Sequence, residues 1–136
     1  MTIKKALTSV LDIPYLGPIS CGFPSPADDH LDEAIDLNKE LIKNKSTTFF
    51  GRVNGDSMKD AGLDDGDLLI IDKSKKPSNG SIAVCFLDGE FTVKRIKIER
   101  DRVWLIAENI KYPPIEVKAD NEFLIWGIVI HAIKSL

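Results

Sequence analysis

Two residues 37 positions apart could together do nucleophilic chemistry: Ser57 in NGDSMKDAG and Lys94 in EFTVKRIKI. A serine hydroxyl is a weak nucleophile until a neighbouring base takes its proton, and a neutral lysine amine can be that base. Lysine ordinarily has a pKa of about 10.4, so holding it neutral at pH 7 costs about 4.6 kcal/mol. Desolvation penalises the ammonium, and a downward shift of about three units removes most of that cost. A Ser-Lys dyad therefore requires a buried lysine. Both residues also have ordinary structural uses. Ser57-Met58-Lys59-Asp60 has the S-x-x-D form of a capping box, in which a serine oxygen satisfies an orphan backbone N–H. Lys94 can lay its aliphatic stem on a sheet and keep its ammonium in water. From these two segments alone, both uses stay open.

The strand-like pattern of EFTVKRIKI sets the condition for Lys94. Alternation places Phe91 and Val93 on one face and Thr92, Lys94, Ile96 and Ile98 on the other. If the second face is buried, Lys94 is buried with it and Arg95 and Lys97 reach solvent. The switch of apolar parity between Val93 and Ile96 also admits a bulge near Arg95, which would re-aim the lysine.

The elements around these residues read mostly as short strands between tight turns. TFFGRVN, DLLIID, GSIAVCFL, RVWLIA and PIEVKA are strand candidates, and NGDSMKDAGLDDGD is turn and short helix. Asp88-Gly89 joins GSIAVCFL to EFTVKRIKI with the positive-φ tolerance that a type I′ hairpin turn needs. EFLIWGIVIHAI is long and apolar on both parities, as in a strand covered on both sides, and Gly127 marks a bend within it. This spacing predicts a mostly β fold, a curled sheet or partly open barrel spanning 46–136. Residues 1–45 have a different texture. SCGFPSPADD resists regular structure, and HLDEAIDLNKELIK predicts one short helix with Asp29 as N-cap. The first 45 residues thus read as a flexible N-terminal arm.

Composition narrows the functional classes. With 136 residues the chain can bury a core without metals or disulfides. A net charge of −3 offers no basic stripe, so direct sequence-specific DNA binding is not expected. Cys21 and Cys85 form no CxxC and have no neighbouring histidine cluster, which fits a reducing compartment. Asp12, Pro14, Gly17 and Pro18 interrupt the apolar N-terminal stretch, which argues against a signal peptide or membrane span and for a cytoplasmic protein. His30 and His131 have no partners in sequence that suggest a triad or a metal. Asp64, Asp65 and Asp67 lack EF-hand spacing and read as turn residues. Neither a cofactor nor a metal is expected.

GDSM, followed by the lysine of DGEFTVKR and preceded by CGFPSPADD, resembles the SOS mutagenesis proteins of the LexA-like self-cleaving serine peptidase family. The resemblance runs from about Ser20 to the C-terminus and takes in IDLNKELI, DGDLLIID and FLIWGIVIHAIK. It rests on order and spacing together, since no four-residue piece is specific. It implies a LexA/signal-peptidase-like fold, with Ser57 as nucleophile, Lys94 as its base, and a cut at the protein's own Cys21-Gly22 bond. LexA-type repressors usually write that bond as Ala-Gly, so Cys21 is the substrate's side chain and not a second nucleophile. The backbone N–H groups of Asp56 and Ser57 are the candidates for an oxyanion hole. An extended arm can present the bond, and its presence in the same chain gives a high effective concentration.

The resemblance also implies partners. Cleavage is expected to be stimulated by a RecA nucleoprotein filament on single-stranded DNA. The product, residues 22–136, is expected to form a homodimer and to join a UmuC-type translesion polymerase, with the sliding clamp as a further partner. Only 21 residues precede the scissile bond, too few for a repressor's helix-turn-helix domain, which favours the accessory role. Two other readings compete: a non-catalytic interaction module, and a signal-peptidase-like enzyme acting on other proteins. The lack of an evident membrane anchor counts against the second.

Overall fold

The computed structural model describes residues 13–24 and 32–136. The chain divides into two compact units, Met1–Ile42 and Lys43–Leu136. In the first, β1 (Ile13–Tyr15) pairs antiparallel with β2 (Asp32–Ile35), Ile13 opposite Ile35 and Tyr15 opposite Asp32. Cys21 and Gly22 lie exposed in an irregular bend, where Ser20 Oγ donates to Phe23 O at 2.6 Å. The helix expected in this region is shorter than its apolar spacing suggests. It spans α1 (Leu37–Leu41), because Asp32–Ile35 pairs as a strand and Asp36 stays extended as the N-cap. The Asp36 carboxylate accepts from the Asn38 N–H at 3.0 Å. Asp29 and His30 lie outside the described residues.

The second unit is built on one open antiparallel sheet. Its strands are β3 (Thr48–Arg52), β4 (Leu68–Asp72), β5 (Ile82–Leu87), β6 (Glu90–Glu99), β7 (Arg102–Ile106), β8 (Ile115–Val117) and β9 (Phe123–Ile133). They lie in the order β3-β4-β9-β5-β6-β7-β8, with β3 and β8 at the edges. The mostly β class predicted from the strand spacing is what forms, as a curled sheet that does not close. Asp88 and Gly89 both take positive φ, 48° and 88°, and Leu87 faces Glu90, so the hairpin closes on the two residues its sequence favours.

Alternation along β5 sorts the core into two clusters. Val84 joins Met58, Leu63, Leu69 and Ile71 on one face, while Ala83 and Cys85 join Ile96, Leu105 and Ile128 on the other. The loop between β3 and β4 supplies Met58 and Leu63 to the first cluster. Strands at the far end of the same sheet supply Leu105 to the second. β5 is therefore buried on both sides in the middle of the sheet.

β9 is not uniformly covered. Gly127 and Ile128 are buried, but Leu124 and Ile133 are 56% and 43% exposed. Its apolar residues occupy both parities because two single-residue bulges re-aim them. The pairing with β5 skips Trp126 between Ile125 and Gly127, and the pairing with β4 skips Ile130 between Val129 and His131. Gly127, where a bend was expected, lies within one continuous strand, between these bulges. There Ile71 crosses the glycine so closely that a Cβ would stand 2.6 Å from Ile71 Cγ2. Among the described residues no helix is long and apolar enough to cross a membrane.

Gly127→Ala should therefore overpack the first cluster and cost about 1–3 kcal/mol. Urea denaturation should show a lower midpoint with an unchanged slope.

Candidate active site

β6 carries Lys94 through a regular stretch of sheet. Arg95 pairs with Ile82, Lys94 with Ala83 and Thr92 with Cys85, with no bulge near Arg95. Thr92, Lys94 and Ile96 consequently share the parity of Ala83 and Cys85, and Lys94 is only 8% exposed. The expected burial of this face holds at Lys94 and Ile96, with Thr92 half-buried, and ends at Ile98, which is 40% exposed where β6 runs past β5 while still paired with β7. On the other parity Lys97 reaches solvent as expected. Arg95 does so only in part, since Glu108 pairs with its guanidinium and Gly80 O accepts from it at 2.7 Å.

The buried amine makes three contacts, donating to Ser57 Oγ at 3.1 Å, Thr92 Oγ1 at 2.7 Å and Val93 O at 3.2 Å. All three acceptors are neutral, and among the described residues Lys94 pairs with no carboxylate. Burial lowers its pKa from the ordinary 10.5. Among the described residues, Cys85 is the titratable neighbour whose charge would act on it. Burial pushes its thiol up to about 11, so near neutral pH it remains uncharged and leaves the lysine uncompensated. The snorkelling alternative is thereby removed: the amine points to the protein, not to water.

Ser57 reaches Lys94 from a loop fastened at several points. Met58, the next residue, is 3% exposed in the first core cluster. On the other side, Gly55 takes φ of 106° and donates its N–H to Asp65 Oδ1 at 2.7 Å. Asp56 O accepts from Asn109 Nδ2 at 2.9 Å, and Asp56 Oδ1 accepts from the Tyr112 hydroxyl at 2.6 Å. The Tyr112 bond lowers the Asp56 pKa and raises that of Tyr112. No capping box forms. Met58, not Ser57, is the N-cap of the following 3-10 turn, and the Asp60 N–H donates to Glu108 O at 2.8 Å.

The Ser57 N–H donates no hydrogen bond among the described residues, whereas the Asp56 N–H lies against its own carboxylate. Ser57 lines a cleft of about 250 Å³ with Met58, Gly51 to Gly55 and Phe91 to Val93, and Asp56 does not line it. Three strands, β4, β9 and β5, lie between β3 and β6 in the sheet, so their meeting at one cleft measures how strongly the sheet curls. Cys21 and Gly22 belong to the other unit and are exposed there.

The remaining sequence candidates are structural. Asp65 holds Gly55, while Asp67 accepts from the Asp64 N–H at 2.9 Å and from Lys134 Nζ at 2.5 Å. His131 pairs with Ile70 in the β4–β9 ladder. Thr92, Asn109 and Tyr112 were not evident as site residues. The parity of the FTVK strand could have found Thr92, two positions before Lys94. Asn109 and Tyr112 carry no local signal, since they reach Asp56 across 53 and 56 positions.

Residues 14–130 match the peptidase S24-like family, and the chain belongs to it. Three relatives give the same picture. SamA of Salmonella typhimurium is 44% identical over 117 residues, covering 84% of this chain and 81% of SamA. MucA of Escherichia coli is 42% identical over 120 residues, covering 88% and 82%. The LexA repressor of Ectopseudomonas mendocina is 42% identical over 113 residues, covering 83% of this chain and 55% of the repressor. The resemblance to the UmuD-like, SOS-related members of this LexA-like peptidase family, read from GDSM, FTVK and CGFPSPADD, therefore holds.

The lowered Lys94 pKa has a consequence for stability. Between its folded value and the ordinary 10.5, the unfolded chain binds a proton that the folded chain does not, so stability rises with pH across that window. In a Ser57→Ala background, which prevents any cleavage through Ser57, urea midpoints should rise with pH there. Against Ser57→Ala/Lys94→Met the difference should be flat below the window. A difference that is flat at every pH would show that the lysine keeps its ordinary pKa.

Proposed function

We propose that this protein is a Ser-Lys endopeptidase that cuts its own Cys21-Gly22 bond. The observation that carries the reading is the contact of a buried, uncompensated Lys94 amine with Ser57 Oγ at 3.1 Å. With Lys94 neutral the same contact reverses, the hydroxyl donating to the nitrogen lone pair. Ser57 Oγ attacks the Cys21 carbonyl carbon as Lys94 takes its proton. The N–H groups of Asp56 and Ser57 stabilise the oxyanion. Lys94 then returns the proton to the Gly22 nitrogen as the peptide C–N bond breaks, leaving Cys21 esterified to Ser57. A water, deprotonated by Lys94, attacks the ester, and Lys94 returns that proton to Ser57 Oγ as the ester C–O bond breaks, which regenerates the serine and frees the Cys21 carboxyl group to ionise. The chemistry needs no metal and no cofactor.

In this reading residues 1–45 are the arm that carries the bond, and 46–136 form the peptidase and dimerisation domain. The family membership supports an SOS role. A RecA filament on single-stranded DNA would favour the state in which the bond lies at Ser57, raising a small population of competent molecules. The product, 22–136, would act in the cytoplasm as a homodimer, as the accessory subunit of a UmuC-type translesion polymerase working with the sliding clamp. These partners follow from the family resemblance, not from a surface described above.

Purified protein incubated at raised pH should convert to a fragment beginning at Gly22, because alkali neutralises Lys94 without help from the filament. The rate should climb through the lowered Lys94 pKa and then level off. Ser57→Ala and Lys94→Ala should each abolish conversion while leaving the chain folded. N-terminal sequencing and intact mass identify the product. An intact chain at every pH, with and without the filament, would favour a non-catalytic interaction module.

A further inference from the structure

The segment between β7 and β8 holds the Ser57 loop from outside. Glu108 O accepts from the Asp60 N–H at 2.8 Å, Asn109 Nδ2 donates to Asp56 O at 2.9 Å, and the Tyr112 hydroxyl donates to Asp56 Oδ1 at 2.6 Å. Asn109 is 4% exposed, and its Oδ1 accepts from the Lys111 N–H at 3.1 Å, so the amide is fixed at both ends. The segment is in turn tied to the strand that carries Lys94, because Glu108 pairs with Arg95.

The bond to Asp56 O bears on Ser57 through the geometry of one peptide plane. A trans amide is planar, so the Asp56 C=O and the Ser57 N–H point in opposite directions. A donor that pins the carbonyl also aims the N–H. The Lys59 N–H shares the Asp56 carbonyl at 3.2 Å, but it belongs to the loop and moves with it. Asn109 refers the plane to a separate part of the fold.

We infer that Asn109 is a positioning residue that aims the Ser57 N–H at the oxyanion of the transition state, with Tyr112 steadying the side chain of the same Asp56. The inference rests on the reading of Ser57 as the nucleophile. Asn109 touches neither substrate nor reacting atoms. Its effect falls on transition-state stabilisation and leaves the protonation of Lys94 alone.

The test is the self-cleavage rate of the full chain, followed from neutral to alkaline pH until it levels off. Asn109→Leu removes the donor to Asp56 and brings no charge near Lys94. It should lower the plateau by about 10- to 100-fold, somewhat less than the loss of an oxyanion-hole donor itself. The midpoint of the pH profile, set by Lys94, should not move. Tyr112→Phe should lower the plateau by a smaller factor with the same midpoint. Because Tyr112 is 42% exposed, that variant decides the matter if Asn109→Leu does not fold. Wild type and Ser57→Ala are run alongside. If wild type is inert or Ser57→Ala still cleaves, the dyad reading fails. If those two behave as proposed, the aiming role is overturned by variants that keep the wild-type plateau. It is equally overturned if rate is lost only with a midpoint displaced toward that of an ordinary lysine.

Discussion

A primary amine held out of water without a counter-charge is the constraint on which the rest of this structure depends. A carboxylate beside Lys94 would keep it protonated and useless as a base, and full solvent exposure would do the same. The chain has 21 acidic residues, yet the contacts of Lys94 are a serine, a threonine and a backbone carbonyl. Asp56, directly before Ser57, has its carboxylate engaged by Tyr112. Cys85, across the strand pair, is kept a thiol by the burial that also affects the lysine. The sheet must be rigid at this point because a lysine has four rotatable bonds through which to escape to solvent. Burial of β5 on both faces, and the unbroken β5–β6 register, deny it that route.

The strands of the second unit were legible because period-two patterning and turn chemistry are local. The DG hairpin was equally plain, and the parity of EFTVKRIKI put Lys94 on one face with Ile96, but only the family resemblance pointed to that face as the buried one. Patterning failed where pairing partners decide the outcome. DEAI reads as helix from its apolar spacing, but Ile13–Tyr15 draws it into a strand. β9 looked covered on both sides because its bulges cannot be seen without the partner registers. Whether Ser57 caps a helix was undecidable locally, since the answer lies with Glu108, which takes the Asp60 N–H that a cap would need.

The pairing of residues at the site also shows how a curled sheet replaces a deep pocket. Lys94 comes from a central strand, Ser57 from the loop between an edge strand and its neighbour, and the residues that brace that loop from the β7–β8 connection. No two of these are close in sequence. They meet because the sheet brings β3 and β6 to the same cleft while remaining open at both edges. Contacts this distant leave no composition signal, which is why Asn109 and Tyr112 were invisible before the fold was known.

The two bulges of β9 mean that this strand specifies the fold by its length as well as by its side chains. Each bulge adds one residue against a different neighbour, on either side of Gly127. Deleting a single residue between Trp126 and Ile130 would erase one offset and turn every later side chain to the opposite face, whatever its identity. Chain-length changes are therefore far less tolerable here than at the exposed tip of the β6–β7 hairpin, where Arg100 turns the chain at the surface. An alignment that opened a gap inside β9 would be placing two different folds side by side.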